Sequence, residues 1–151
     1  MSAKPRIEEE EILRLYANGV RDFTGYKIWI GDIGPTNLSG VDFSRQDLSE
    51  TLLEGFDLSG ANLSGAIMNQ TCLNGANLSR ANLSGAGLAW ATLWYADLTD
   101  ANLTDACLRA AEICKSNLIN AILFGCDIER TWLEENIYRN TTWIDGSIRN
   151  E

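Results

Sequence analysis

The first side chains to weigh for chemistry are four cysteines, Cys72, Cys107, Cys114 and Cys126, which stand 35, 7 and 12 residues apart. No two form the C-x-x-C pair that a zinc site or a thioredoxin-like redox step would need, and reduced thiols are expected. The chain contains no histidine. That removes the commonest proton shuttle, metal ligand and triad base together. A nucleophile and base would have to be assembled from Lys or carboxylates, and Lys115 lies in no motif. The glycines recur at a fixed spacing rather than in a phosphate-binding loop. These observations predict a non-enzymatic protein with no catalytic residue, no cofactor and no metal site.

Charge narrows the partners. The 151 residues carry 12 Lys and Arg against 21 Asp and Glu, a net charge of -9. Such a balance disfavours nucleic acid and anionic membranes and favours a basic partner. The acids gather towards the two ends of the chain, including the run Glu8 to Glu11; from Leu58 to Ala96 the one charged side chain is Arg80. The start "MSAKPRIEEEE" lacks the apolar stretch and cleavage signature of a signal peptide, and no apolar run is long enough to span a bilayer. A cytoplasmic location is the expectation.

The elements that position these residues follow from a period of five. From Arg21 the chain divides into the units RDFTG, YKIWI, GDIGP, TNLSG and onward, with no slip of register through Asn150. The middle residue of each unit is Leu, Ile, Phe or Met, except for Tyr138 and Trp143 near the end, and the residue two before it is small in most central units. Those two positions share one face of a short strand. A continuous strand would send the next leucine, five residues on, to the opposite side, and a helix would rotate successive leucines by about 140° and smear them round its cylinder. The chain must turn a corner within every unit, and the Ser, Gly and Asp residues at the corners are those that turns favour. A four-sided tube satisfies this pattern.

The tandem pattern A-[DN]-L-x-x over residues 21 to 150 resembles the pentapeptide-repeat proteins. The resemblance implies an all-β solenoid, a right-handed quadrilateral β-helix with four units per coil. At about 4.8 Å per coil the 26 units would make about 6.5 coils and a rod roughly 31 Å tall. One core column would read Leu38, Leu58, Leu78, Leu98, Leu118 and Tyr138, and the next Phe43, Leu63, Leu83, Leu103, Leu123 and Trp143. Alanines such as Ala61, Ala81 and Ala101 would fill the second inward position, where the tube is too narrow for a large side chain. The Asn and Asp residues between the inward pair would form side-chain ladders and turn bonds.

Residues 1–20 are expected to form an N-terminal capping helix, with Ile12, Leu13, Leu15 and Tyr16 facing the solenoid of residues 21–150. The stretch "LYANGVRDFTG" resembles the capped start of many cyanobacterial members. At the other end Tyr138 and Trp143 would either plug the last coil of a monomer or meet a second copy in a dimer.

By this register Trp90, Trp94 and Tyr95 in "AWATLWYA" point outward among small or polar neighbours, and Trp132, two coils above Thr92, extends the same side. Exposed aromatics in a zone poor in charge make these four the candidate binding surface for an unidentified protein partner. Cys114 is also expected to point outward, which gives it, with Cys107, a conceivable redox role. The resemblance implies one alternative, because some acidic family members mimic DNA and bind a type II topoisomerase (gyrase). The acid-free stretch of this chain does not suit that role, since a DNA mimic should carry negative charge along its rod.

Overall fold

The computed structural model describes residues 5–23, 26–30 and 36–151. The unit 31–35 of the five-residue register lies outside the described residues, as do residues 1–4 of the expected cap. From Asp22, and from each unit between Asn37 and Ile122, the second residue forms a parallel bridge with the residue 20 positions on, as in Asn77 with Asp97 and Ile122 with Thr142. Twenty residues per circuit and five per unit give a coil of four sides.

The unit 76–80 shows why five residues suffice for one side. Ala76 N–H donates to the Leu73 carbonyl across the preceding corner (3.1 Å). Asn77 N–H reaches back one coil to the Phe56 carbonyl (2.9 Å), and Leu78 and Arg80 donate forward one coil to Asp97 and Thr99 (2.7 and 2.8 Å). Ser79 N–H would be left over, and the Asn77 side chain accepts it at 3.0 Å. Every backbone N–H of the unit is satisfied. The Asn and Asp residues therefore finish the corners, and they also form ladders between coils, as in Asn77 to Asp57 (3.2 Å) and Asn62 to Asp42 (3.2 Å).

From Gly40 to Asn140 the fifth residue of each unit closes the corner in the left-handed region. Gly60 and Gly75 do so with φ of 65° and 66°. So do non-glycine residues, Trp90 (62°) and Tyr95 (59°) among them, at a cost of about 1–2 kcal/mol that glycine would not incur.

Inside, the expected columns are present: Leu38, Leu58, Leu78, Leu98 and Leu118 are buried, as are Phe43, Leu63, Leu83, Leu103 and Leu123, with the alanines packed between them. Some inward positions are polar, for a reason that size alone does not give. Gln46, Thr71, Ser116 and Thr141 each donate to the carbonyl of a middle residue 23 positions earlier (2.7, 2.9, 2.5 and 2.6 Å). Each buried hydroxyl or amide is thereby paired inside the tube.

The N-terminal cap is more than a helix. Strand β1 (Arg6–Glu8) precedes helix α1 (Glu9–Ala17) and pairs in parallel with β2 (Lys27–Trp29), extending the solenoid by one strand below its first coil. Ile7 and Ile12 bury their side chains in the core. Tyr16 Oη donates to the Ser39 carbonyl (2.5 Å), and the Arg21 guanidinium lies 3.7 Å from the Tyr16 ring centre. Glu11 and Arg14 pair across one turn, and the hydrogen bond holds the Glu11 carboxyl below its ordinary range.

At the far end the five-residue register outlasts the coil. Strands β3 (Thr141–Thr142) and β4 (Ile148–Arg149) form an antiparallel hairpin, so Ile148, expected in the core, is 52% exposed. Gly146, at φ 83°, lets the chain reverse where another corner would have carried it onward. Trp143 is buried against Tyr138, edge to face at 5.9 Å, and the Arg149 guanidinium covers the Trp143 ring at 3.4 Å. Tyr138 and Trp143 thus pack together at the end of the last coil, with Arg149 over them.

Candidate partner-binding surface

Two consecutive sides of one coil, the units AGLAW (86–90) and ATLWY (91–95), carry the aromatic residues. Their second positions are Gly87 and Thr92, so no Asn or Asp is available to hold the fourth-position N–H. The preceding coil supplies the acceptors. Asn69 Oδ1 accepts from Ala89 N–H (3.1 Å), and Asn74 Oδ1 accepts from Trp94 N–H (2.9 Å). Asn69 and Asn74 are thus positioning residues for the aromatic corners. Their signal in the sequence is Asn at the fourth position of AIMNQ and TCLNG, where earlier units mostly carry Ser.

The structure brings three of the four expected residues together. Trp94 is half-buried and donates from Nε1 to Glu112 Oε2 at 2.7 Å. Its ring meets the Trp132 ring edge to face at 6.1 Å and the Tyr95 ring at 6.4 Å. Trp94 is therefore the hub of the cluster rather than an open contact residue, a correction to the outward position read from the register. The open faces belong to Trp132, 47% exposed, and Tyr95, 63% exposed. Trp90, 64% exposed, stands one corner earlier, and among the described residues no ring or cation contact covers it.

Polar residues frame the rings. Glu112 bridges Thr92 and Trp132 in the same backbone column, which explains why the sequence spacing of 40 residues brings Trp132 to this side. Lys115 Nζ lies 5.8 Å from the Tyr95 ring centre and 3.8 Å from Glu135. Glu134 and Glu135 follow two coils above Trp94 and Tyr95 and are exposed. Neither Glu112 nor Lys115 was singled out by the sequence as part of this surface.

Cys114 departs from expectation. It is only 2% exposed, and its Sγ lies 3.7 Å from the Trp132 carbonyl. A thiol at the fourth position is small enough to be covered by larger neighbours, so the outward path of the backbone does not expose it. Burial also pushes the Cys126 thiol up to about 11. Cys72 and Cys107 remain partly accessible. Alkylation of the folded protein at neutral pH should label Cys72 and Cys107 first and leave Cys114 and Cys126 for the unfolded chain. Peptide mass spectrometry after a timed pulse checks the order; early labelling of Cys114 would contradict its burial.

The five-residue geometry agrees with a family model. Pentapeptide repeats, in eight copies, match residues 42–80 and 81–118, just over half of the chain. The chain is a pentapeptide-repeat protein. Proteins of this family fold as right-handed quadrilateral β-helices. Among solved structures, the pentapeptide-repeat protein Rfr23 from the cyanobacterium Cyanothece 51142 is 28% identical, with a TM-score of 0.72 over 89% of this chain and 97% of that one. The pentapeptide-repeat protein alr5209 from Nostoc PCC 7120 is 25% identical, with a TM-score of 0.55 over 87% and 99%. A third, from the thylakoid lumen of Arabidopsis thaliana, is 30% identical over 76% and 69%, with a TM-score of 0.47. No curated protein matches the chain. In this pentapeptide-repeat protein no helix of the described residues is long and apolar enough to cross a membrane.

Proposed function

We propose that this pentapeptide-repeat protein is a non-enzymatic scaffold whose partner, another protein, docks on the side carrying Trp90, Tyr95 and Trp132, with Trp94 holding the rings in place. One observation carries this reading. Trp90 and Tyr95 are the aromatic residues among left-handed corners that otherwise carry glycine, alanine or polar side chains, so two large rings stand exposed where the other corners have none. Trp90 meets no other ring or cation among the described residues, so packing does not account for it, and Trp and Tyr are the commonest anchors of protein interfaces.

The rest of the molecule supports a rigid carrier of about six coils, the span of the parallel ladder from Asp22 to Thr142. Its C-terminal end, closed by Trp143, Tyr138 and β4, favours a monomer as the working unit. The four cysteines are free thiols, which suits the reducing cytoplasm. The topoisomerase alternative draws no support from the charge pattern, because the stretch from Leu58 to Ala96 carries no acid.

Site-directed photo-crosslinking tests the docking side. With the crosslinking amino acid at Tyr95, irradiation in a lysate of the source organism should give one discrete adduct. The same residue at Asp105, an exposed corner diagonally across the tube from Tyr95, should not. Equal adducts from both positions, or none from Tyr95, would remove this surface as the docking site.

A further inference from the structure

We infer that the segment docking on this surface is basic and places an arginine on the exposed indole faces. The inference rests on the docking surface proposed above and adds the chemistry of its occupant. The molecule covers other aromatic rings with cations of its own: Arg21 lies 3.7 Å from the Tyr16 ring centre and Arg149 lies 3.4 Å from that of Trp143. At the surface this coverage is missing or loose. Among the described residues no cation sits over Trp90 or Trp132, and Lys115 stands 5.8 Å from Tyr95, near the outer limit of about 6 Å for such an attraction.

The charges around the rings favour the same occupant. Glu112 anchors Trp94, and Glu134 and Glu135 stand on the same side, against Lys115 alone. The arginines of the adjoining side are already engaged, Arg109 with Asp127 and Glu129, and Arg130 with Glu129. The chain as a whole carries -9. An incoming guanidinium would find π-faces for stacking and carboxylates for pairing. Its planar, weakly hydrated group suits both better than the ammonium of lysine.

The test uses the full chain and a defined probe, a short Gly/Ser peptide with three arginines, beside versions with lysine or glutamine at the same places. Each is titrated into the protein at about 0.15 M salt, where distant charges are screened, and indole N–H shifts are followed by NMR. The same titration is run on the double variant Trp90→Gly/Trp132→Thr, which keeps the net charge. The arginine peptide should bind the wild type at least about tenfold more tightly than the glutamine peptide and more tightly than the lysine peptide, and should lose at least about fivefold on the variant. Unchanged binding to the variant would mean attraction by charge alone and would overturn the inference, as would equal binding of the glutamine peptide or no binding of the arginine peptide. A crosslinked partner at Tyr95 combined with failure of the arginine peptide would retain the docking surface and remove only its assignment to arginine. Failure of both would remove the surface.

Discussion

Replacing Leu83 by Ala should lower the unfolding free energy by about 2–5 kcal/mol. Leu83 is fully buried in a column between Leu63 and Leu103, with Ala81 and Ala86 beside it. Those alanines are too small to fill the space a leucine leaves. Backbone collapse is also blocked, because Asn82 N–H is held by Ala61 in the previous coil (2.9 Å) and Leu83 N–H by Asn102 in the next (2.7 Å). A cavity that cannot relax puts the cost towards the upper end of that range. Ile148→Ala, at an exposed position with the same rank in the five-residue register, should change stability by no more than about 0.5 kcal/mol. Urea denaturation of the two variants separates a position inside the coil from one in the terminal hairpin. Similar losses for both would contradict the end of the solenoid described here.

The second large effect distinguishes two tryptophans that the repeat treats alike. Trp94→Ala should destabilise the protein by about 2 kcal/mol, since it removes a charge-assisted hydrogen bond and an edge-to-face ring contact together. Glu112 loses its indole donor, and Trp132 loses the ring that orients it. Trp90→Gly should leave stability unchanged or raise it by up to about 1 kcal/mol, because glycine adopts the left-handed corner without strain and the lost ring is largely solvated. Thermal melts of the two variants check the contrast. A loss at Trp90 equal to that at Trp94 would make Trp90 a packing residue and weaken its claim to a partner.

The solenoid was legible because its signal is redundant. Leu58, Leu78 and Leu98 repeat one instruction at intervals of 20, and an error at one unit is outvoted by the others. The two ends were less legible because there the pattern persists without the structure it encodes elsewhere. Ile148 keeps the register, yet Gly146 reverses the chain and β4 pairs with β3 instead of starting a coil. Strand β1 precedes the repeat and has no period to announce it.

For the candidate surface, position in the unit gave the correct side for Trp90, Tyr95 and Trp132. It could not give depth. Cys114 and Trp94 share the fourth position of successive coils, and both are covered, one through its small size and one through the Glu112 bond and its neighbouring rings. Asn69 and Asn74 were hidden because their acceptors serve the next coil, whereas Asn77 and its equivalents serve their own unit. The polar inward residues Thr71 and Ser116 stand where most central units carry alanine, and their acceptors are visible only once the carbonyl 23 residues earlier is in place.

The most direct test of the scaffold reading is quantitative capture from a lysate of the source organism, with wild type and Trp90→Gly/Trp132→Thr immobilised side by side after matched thermal melts. The account predicts a protein retained by the wild type and reduced by about 30-fold or more on the variant, the effect of removing an anchor worth about 2 kcal/mol. Equal capture by two equally folded proteins would contradict it.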